Sequence, residues 1–424
     1  MRRRLYILRT LLSCPWVGRL SFGDGSGFEP VDGLLDDRIP FLNGLKKLAD
    51  SSVRPARSET HWDAVHSSNH SRRCPCSFAG IGRTDLGAAA SMPCVSVSGV
   101  SVRIGVLGAA RIAAAALIKP ARENREVVVA AVAARDVSRA QTFAAKYGIG
   151  RVHDSYEALL ADPDLDAVYN PLPISLHGKW TRAALDAGKH VLCEKPFTAN
   201  AAEAREVAKV AAKSGRVVME AFHYRYHPCA LRVDEILASG ELGELTRVQA
   251  EWCFWMPKLS HNRYNYAMGG GALMDLGCYA VDMVRRFGGS TPEVFSAQAK
   301  LRGPQVDRVM TAELRFAGGR TGRIHCSMWS TDLPHLTVRA VGDRGELLLH
   351  PLLPFQRFSV RSARGKRVEN FTAARSTYAY QLDAFAAAVL RGEPVKTTPE
   401  EAIENMTVID AMYRAAGLRL RQPT

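Results

Sequence analysis

From Val102 onward the chain alternates short apolar runs with stretches whose apolar residues recur at helical spacing. Val102–Leu107 reads as a buried strand, Gly108-Ala109-Ala110-Arg111 as a tight turn, and Ile112–Ala121 as a helix of small and apolar side chains. Val127–Ala133 then closes a βαβ unit. The pattern goes on to predict a helix over Ser138–Tyr147, a short helix over Ser155–Leu160, a strand at Ala167–Tyr169 and a helix over Leu176–Ala187 stopped by Gly188. Strands at His190–Glu194 and Val217–Glu220 come next, and between them Asn200 with Glu203 three residues later is a capping box opening another helix. Strands alternating with helices at this interval predict a parallel, doubly wound sheet with right-handed crossovers, a Rossmann-type α/β domain over residues 101–222.

After Phe222 the period changes. Thr246–Phe254, Val294–Leu301, Val309–Phe316, Thr321–Met328, Thr337–Val341 and Gly345–Leu349 read as strands broken by Gly, Pro and charged turns. They predict a C-terminal α+β domain over residues 223–424, built on a large, mostly antiparallel open sheet. The chain then returns to helices, one over Tyr378–Leu390 and one starting at Thr398-Pro399-Glu400-Glu401, a capping box with proline in the first turn. Ile403, Met406, Ile409 and Met412 have core spacing in that last helix, and these helices are expected to pack back on the body of the protein.

Residues 1–100 differ from the rest. They hold Arg2-Arg3-Arg4 and clusters of Ser, Gly, Pro and His with no sustained apolar period, so they read as a low-order extension. Leu5–Val17 behind the arginines, with Leu11-Leu12-Ser13-Cys14, resembles a lipoprotein signal, but Arg9 interrupts it and Pro15 follows at once. A mis-called start, with Met92 as the natural beginning, is the alternative. The whole chain has 424 residues, 47% hydrophobic and 23% charged, enough for two domains with sizeable cores. Its formal charge of +14 is interspersed with acidic residues rather than gathered in blocks, which argues for a basic surface drawing anionic small molecules and against nucleic acid. No stretch approaches the roughly eighteen apolar residues of a membrane span. Nine cysteines lack a metal spacing, so no metal site is expected and a reducing, cytoplasmic setting fits best.

The candidate chemistry lies at the strand ends. Against the dinucleotide fingerprint G-x-G-x-x-G/A, Gly108 supplies the turn glycine, Ala110 stands at the second glycine and Ala113 is the small packing residue. The helix amino end behind them offers free N–H groups to a pyrophosphate. An NAD site usually ends its second strand with an acidic residue for the ribose hydroxyl. Here the order is Ala134-Arg135-Asp136, so Arg135 stands where a guanidinium would fork onto a 2′-phosphate. NADP is therefore expected over NAD. The tripeptide Glu194-Lys195-Pro196 closes the His190–Cys193 run and puts a lysine at the carboxyl end of a strand, the edge that borders the ligand crevice.

These residues resemble the Gfo/Idh/MocA oxidoreductases, named after glucose-fructose oxidoreductase and inositol dehydrogenase, over about Val102 to Leu418. The resemblance rests on the 108–113 turn, Pro171-Leu172-Pro173 with His177, Glu194-Lys195-Pro196, Glu220-Ala221-Phe222 with Arg225 and Pro228, and the run from Gly269 through Asp275 to Tyr279. Many relatives place histidine where this chain has Tyr279; the NADP-linked sugar dehydrogenases and dimeric dihydrodiol dehydrogenases share the tyrosine. Oxidising a carbinol needs a group that takes the hydroxyl proton beside the nicotinamide. The resemblance implies Lys195 and Tyr279 for acid/base work, with Asp275, four residues earlier and expected on the same side of a helix, orienting lysine or substrate. Cofactor contacts are expected from Gly108, Ala110, Arg111, Ile112, Arg135, Pro171, Leu172, His177, Glu194 and Lys195, and substrate contacts from Arg263, Tyr264, Asp275 and Tyr279. His223 is a weaker candidate for the cleft wall, and Ile174 replaces an asparagine common in that branch.

Together the residues and the resemblance imply an NADP-dependent dehydrogenase of a cyclic polyol, an aldose or a trans-dihydrodiol, forming a homo-oligomer through its C-terminal sheet. The alternatives are a non-catalytic NADP or sugar sensor on the same scaffold and an inositol-type dehydrogenase.

Overall fold

The computed structural model describes residues 101–256, 262–330, 335–350, 357–372 and 374–424. The expectations for residues 1–100, the signal-like segment and Met92 included, lie outside the described residues. Strands β1 (Val102–Leu107), β2 (Val127–Ala133), β3 (Arg151–His153), β4 (Ala167–Asn170), β5 (His190–Cys193) and β6 (Val218–Glu220) form one sheet in the order β3-β2-β1-β4-β5-β6, every pair parallel. Val102, Ile104, Val106 and Leu107 of β1 are all buried, because a parallel sheet carries helices on both faces. Strand order reverses between β1 and β4, which opens a crevice at their carboxyl ends.

Local residues fix the helices around this sheet. Asp136 caps Val137–Tyr147 by accepting from the N–H groups of Ser138 and Arg139, and Gly148 ends it in the left-handed region. Asn200 accepts from the Glu203 N–H to cap Ala201–Ser214. Glu203 does not reach back to Asn200, as the capping box predicts, but to the N–H of Ala199, 2.9 Å away. The helix expected over Ile112–Ala121 contains a π turn at Ala114–Ile118 between Arg111–Ala113 and Lys119–Ala121.

The second sheet joins β7 (Leu245–Cys253), β8 (Glu293–Leu301), β9 (Asp307–Arg315), β10 (Thr321–Ser327), β11 (His335–Gly342), β12 (Gly345–His350), β13 (Arg357–Ser362) and β14 (Gly365–Asn370) in the order β14-β13-β12-β11-β7-β10-β9-β8. It is antiparallel except for β7 beside β10, which places the earliest strand of this sheet at its centre. The apolar pattern does not reveal β3 or the β13–β14 hairpin. One is three residues long and the other alternates polar with apolar residues at the sheet edge, so neither shows an apolar run. Nor does it reveal the helix Pro228–Ala238, which His227 caps and Pro228 starts.

A π turn at Leu273–Gly277 leads into the helix Cys278–Gly288, which lies on one face of the second sheet. Helix Thr377–Arg391 buries Leu382, Phe385 and Ala386 in the core of the first sheet, and Pro399–Ala415 packs against Ala201–Ser214. The described residues thus form one unit, with the crevice of the parallel sheet facing the glycine-rich segment before Leu273.

Candidate active site

At the first crossover Gly108 takes φ +91°, and a Cβ there would stand 3.0 Å from Leu172 Cδ2. Glycine lets the turn close against that leucine. Ala110 begins the following helix with no side-chain cap, so the first-turn N–H groups are left for a ligand's phosphates. Arg111 is exposed and Ile112 half-buried at this amino end. Arg135 is exposed beyond β2. Asp136 points the other way, committed to the helix cap and held below the usual carboxylate range by the Ser138 hydroxyl first. That commits the carboxylate to the helix cap and not to a ligand's ribose. Arg139, one turn into the helix, acts with Arg135 on the Tyr156 phenol, so the two guanidinium groups share one corner. Nothing in the local sequence singles out Arg139, which is one of several arginines on exposed helix faces.

Pro171 and Leu172 are buried, and His177 holds them from behind: its Nε2 faces the Leu172 carbonyl at 2.7 Å and its Nδ1 the Pro196 carbonyl at 2.9 Å. Two acceptors favour a doubly protonated ring, but burial outweighs them and lowers its pKa to about 4, so at neutral pH the ring donates to one of the two. His177 therefore braces the loops on either side of the crevice, with both ring nitrogens turned to the backbone. Glu194 accepts from the buried Tyr169 hydroxyl at 2.7 Å, and burial raises its pKa.

Lys195 extends from the end of β5 to the π turn. Its Nζ donates to the Asp275 carbonyl oxygen at 2.9 Å and stands 3.9 Å from Asp275 Oδ1, with 9% of the lysine side chain exposed. Arg263 Nε donates to the other carboxylate oxygen, Oδ2, at 2.6 Å. Asp275 is thus the joint between Arg263 and Lys195. The helix expected to align Asp275 with Tyr279 begins instead as a π turn, and the lysine meets the aspartate mainly through its backbone. Tyr279 lies beneath Lys195, whose Nζ is 4.8 Å from the ring centroid. The phenol hydroxyl stands 3.3 Å from His223 Nε2. Trp252 stacks on the same ring at 5.4 Å and Phe222 meets it edge-on at 5.3 Å. Burial first, then neighbouring Tyr378, raises the Tyr279 pKa well above that of a free phenol, so it stands neutral.

Tyr264 is half-buried in the wall, its hydroxyl donating to the Met256 carbonyl at 2.7 Å. Gly271 closes the segment between Arg263 and Asp275: its N–H donates to the Arg263 carbonyl, and Leu273 donates to Asp307 Oδ2 at 2.7 Å. The wholly buried pair Arg421–Asp307, 2.8 Å, with Arg421 Nε on the Gly270 carbonyl, locks that segment from the chain's end. Arg225 falls outside the crevice, in an ion cluster with Asp282 and Glu401. His223, Trp252 and Tyr378 are the wall residues that spacing alone leaves weak or unseen.

Comparison with known proteins bears on the family and the fold. Residues 102–222 match the family model described as oxidoreductase family, NAD-binding Rossmann fold, and residues 230–348 match the GFO/IDH/MocA C-terminal domain. The chain is 39% identical over 318 residues to D-xylose 1-dehydrogenase (NADP(+)) 2 of Haloferax volcanii, covering 74% of this chain and 96% of that protein. It is also 39% identical over 225 residues to trans-1,2-dihydrobenzene-1,2-diol dehydrogenase of Bos taurus, covering 53% of this chain and 66% of that one. The structure of a 3-ketoreductase from Actinomadura kijaniata in complex with NADP and TDP-benzene superposes with a TM-score of 0.67 at 29% identity, over 74% of this chain and 98% of that one.

Proposed function

The chain belongs to the Gfo/Idh/MocA oxidoreductase family, and we propose that it is an NADP-linked dehydrogenase acting on a carbinol or anomeric carbon of a cyclic polyol, an aldose or a trans-dihydrodiol. The observation that carries the reading is the convergence of Lys195, Asp275 and Tyr279 at the carboxyl end of β5, on the same edge of the parallel sheet as the uncapped helix end beyond Gly108. The residues present fit the dinucleotide: a glycine turn, bare first-turn N–H groups and two exposed arginines flanking an aspartate that is committed to the helix cap. Gly108, Ala110, Arg111 and Ile112 would hold the pyrophosphate, Arg135 with Arg139 the 2′-phosphate, and Pro171 and Leu172 the nicotinamide side. Bound NADP supplies the hydride acceptor or donor. The chain's own residues do the rest.

Lys195 donates hydrogen bonds into the cleft and orients the substrate hydroxyl, while Asp275, neutralised in part by Arg263, fixes the lysine. Tyr279, neutral and shielded by Trp252 and Phe222, relays the hydroxyl proton in oxidation, giving up its own proton as it accepts the substrate's, and runs the relay in reverse in reduction. Among the described residues no helix is long and apolar enough to cross a membrane. The cysteines at 193, 229, 278 and 326 are buried free thiols, which supports a reducing, cytoplasmic setting. Exposed Phe295 and Leu301 on edge strand β8 support self-association through the second sheet, which light scattering of the purified protein would measure.

The test is NADP+ reduction by the full chain on aldoses, inositols and a trans-dihydrodiol, with Lys195→Ala as control. Turnover by the wild type that falls by about 10²- to 10⁴-fold in the variant, with NADPH binding retained, is expected. Cofactor binding with no turnover on any of them would favour the sensor reading.

A further inference from the structure

His223 lies one residue past Phe222, between the helix Thr377–Arg391 and the ring of Tyr279. Its Nε2 is 3.3 Å from the Tyr279 hydroxyl and its Nδ1 is 2.7 Å from Thr377 Oγ1. The imidazole packs against Tyr378 at 4.1 Å and edge-on to Tyr279 at 6.0 Å, so both its plane and its depth are set. We propose that His223 is a positioning residue for Tyr279, the link that gives the Tyr279 proton a fixed direction and an exit towards Thr377. This rests on the dehydrogenase reading above.

A neutral imidazole carries one donor and one acceptor nitrogen. The phenol is a stronger acid than the threonine hydroxyl, so the better-matched tautomer has the Tyr279 O–H donating to Nε2 and the Nδ1–H donating to Thr377. With its own proton committed to His223, Tyr279 Oη presents its lone pairs to the substrate hydroxyl. As the substrate proton passes to Oη, the Tyr279 proton passes to Nε2, the Nδ1 proton passes to Thr377, and the threonine proton leaves to water. One proton enters the row and one leaves it, and each O–H and N–H broken is replaced. Once product departs, the row shifts back, one proton entering at Thr377 as one leaves Tyr279 to water in the emptied cleft, so the row lends the substrate proton an exit during the hydride step and ends the turnover unchanged. Thr377 is half-buried beside exposed Ser376, at the start of its helix, and so stands between the buried tyrosine and the surface.

Among the described residues the charged or titratable groups facing the imidazole are Lys195 from the end of β5 and His227 from its own segment, with the rings of Tyr279 and Tyr378 packed against it. Burial first, then Lys195 and His227, lower the His223 pKa to about 3. The ring therefore conducts a proton without storing it.

Two variants and one spectrum test the role. His223→Phe keeps the ring packing and removes both nitrogens; His223→Gln restores an acceptor near the Nε2 position. The expected result is a fall in kcat of about 10- to 100-fold in His223→Phe, smaller than loss of a general acid/base itself, with KM for NADP+ unchanged and a pH profile displaced to higher pH. Partial recovery is expected in His223→Gln. Independently of turnover, the ¹⁵N resonance of His223 Nε2 in the cofactor-free protein should move in Tyr279→Phe while that of His177 does not. An unmoved Nε2 resonance, or an active wild type beside a His223→Phe of equal kcat and pH profile, would overturn this role alone. A wild type that turns over no substrate would overturn the dehydrogenase reading, and this role with it.

Discussion

Arg135 is the side chain we propose to set cofactor choice. It lies beyond β2 on the surface while Asp136, the residue an NAD site would turn to the ribose, is taken up as a helix cap. A charged hydrogen bond to a 2′-phosphate contributes about 1.5–3 kcal/mol, which corresponds to roughly tenfold or more in affinity. Arg135→Ala is therefore expected to raise KM for NADP+ by at least about tenfold and leave KM for NAD+ nearly unchanged; initial rates with both cofactors check it. Equal losses for the two would mean that the arginine acts on the fold and not on the phosphate. Tyr279 is governed by its surroundings as much as by its chemistry. Residue type points to acid/base work, but its hydroxyl faces His223 and its ring face receives Lys195, so the two expected partners meet through π density and not through a shared hydrogen bond.

Among the elements, the segment from Gly269 to Gly277 decides where Asp275 stands. Gly271 has φ +143°, and a Cβ there would lie 2.2 Å from Asp307 Oδ1 and 2.6 Å from Arg421 Nη2. Neither group can retreat, since both are fully buried and paired with each other. Gly271→Ala should destabilise the protein by about 1–3 kcal/mol and depress kcat through the misplaced π turn; a denaturant midpoint measured beside the rate checks both. A stable variant with full activity would show that the segment tolerates a shift of Asp275. The glycine run is visible in the sequence as a motif. Its physical cause is not, because Asp307 and Arg421 stand 36 and 150 residues downstream of Gly271.

Across the whole molecule the two sheets meet over buried charge, and this sets how stability follows pH. Glu220, at the end of β6, is raised to about 8, by burial first and then by the charge of Asp282. The folded chain keeps a proton there that the unfolded chain gives up above about 4.5, so this contribution is fully present below that value and is lost as pH rises towards 8. His227, lowered to about 4 by burial, works in the opposite sense: its contribution is present above about 6.5 and lost as pH falls through 4. Glu220→Gln keeps the shape without the titration, and its thermal midpoint should decline less than that of the wild type between about pH 5 and 8. Parallel curves would place the ionisation elsewhere. The alternating α/β half, the mostly antiparallel half, the glycine turn with Arg135 at the second strand end, and the lysine strand are all legible in the chain alone, because each is written in neighbouring residues or in a local period. Folding in three dimensions was needed to bring Lys195 to the Asp275 carbonyl, to set His177 between two backbone loops, to frame Tyr279 with His223 and Trp252, and to lock the glycine segment with Arg421. Those relations join residues distant in sequence, where packing and burial, not local preference, select the partner.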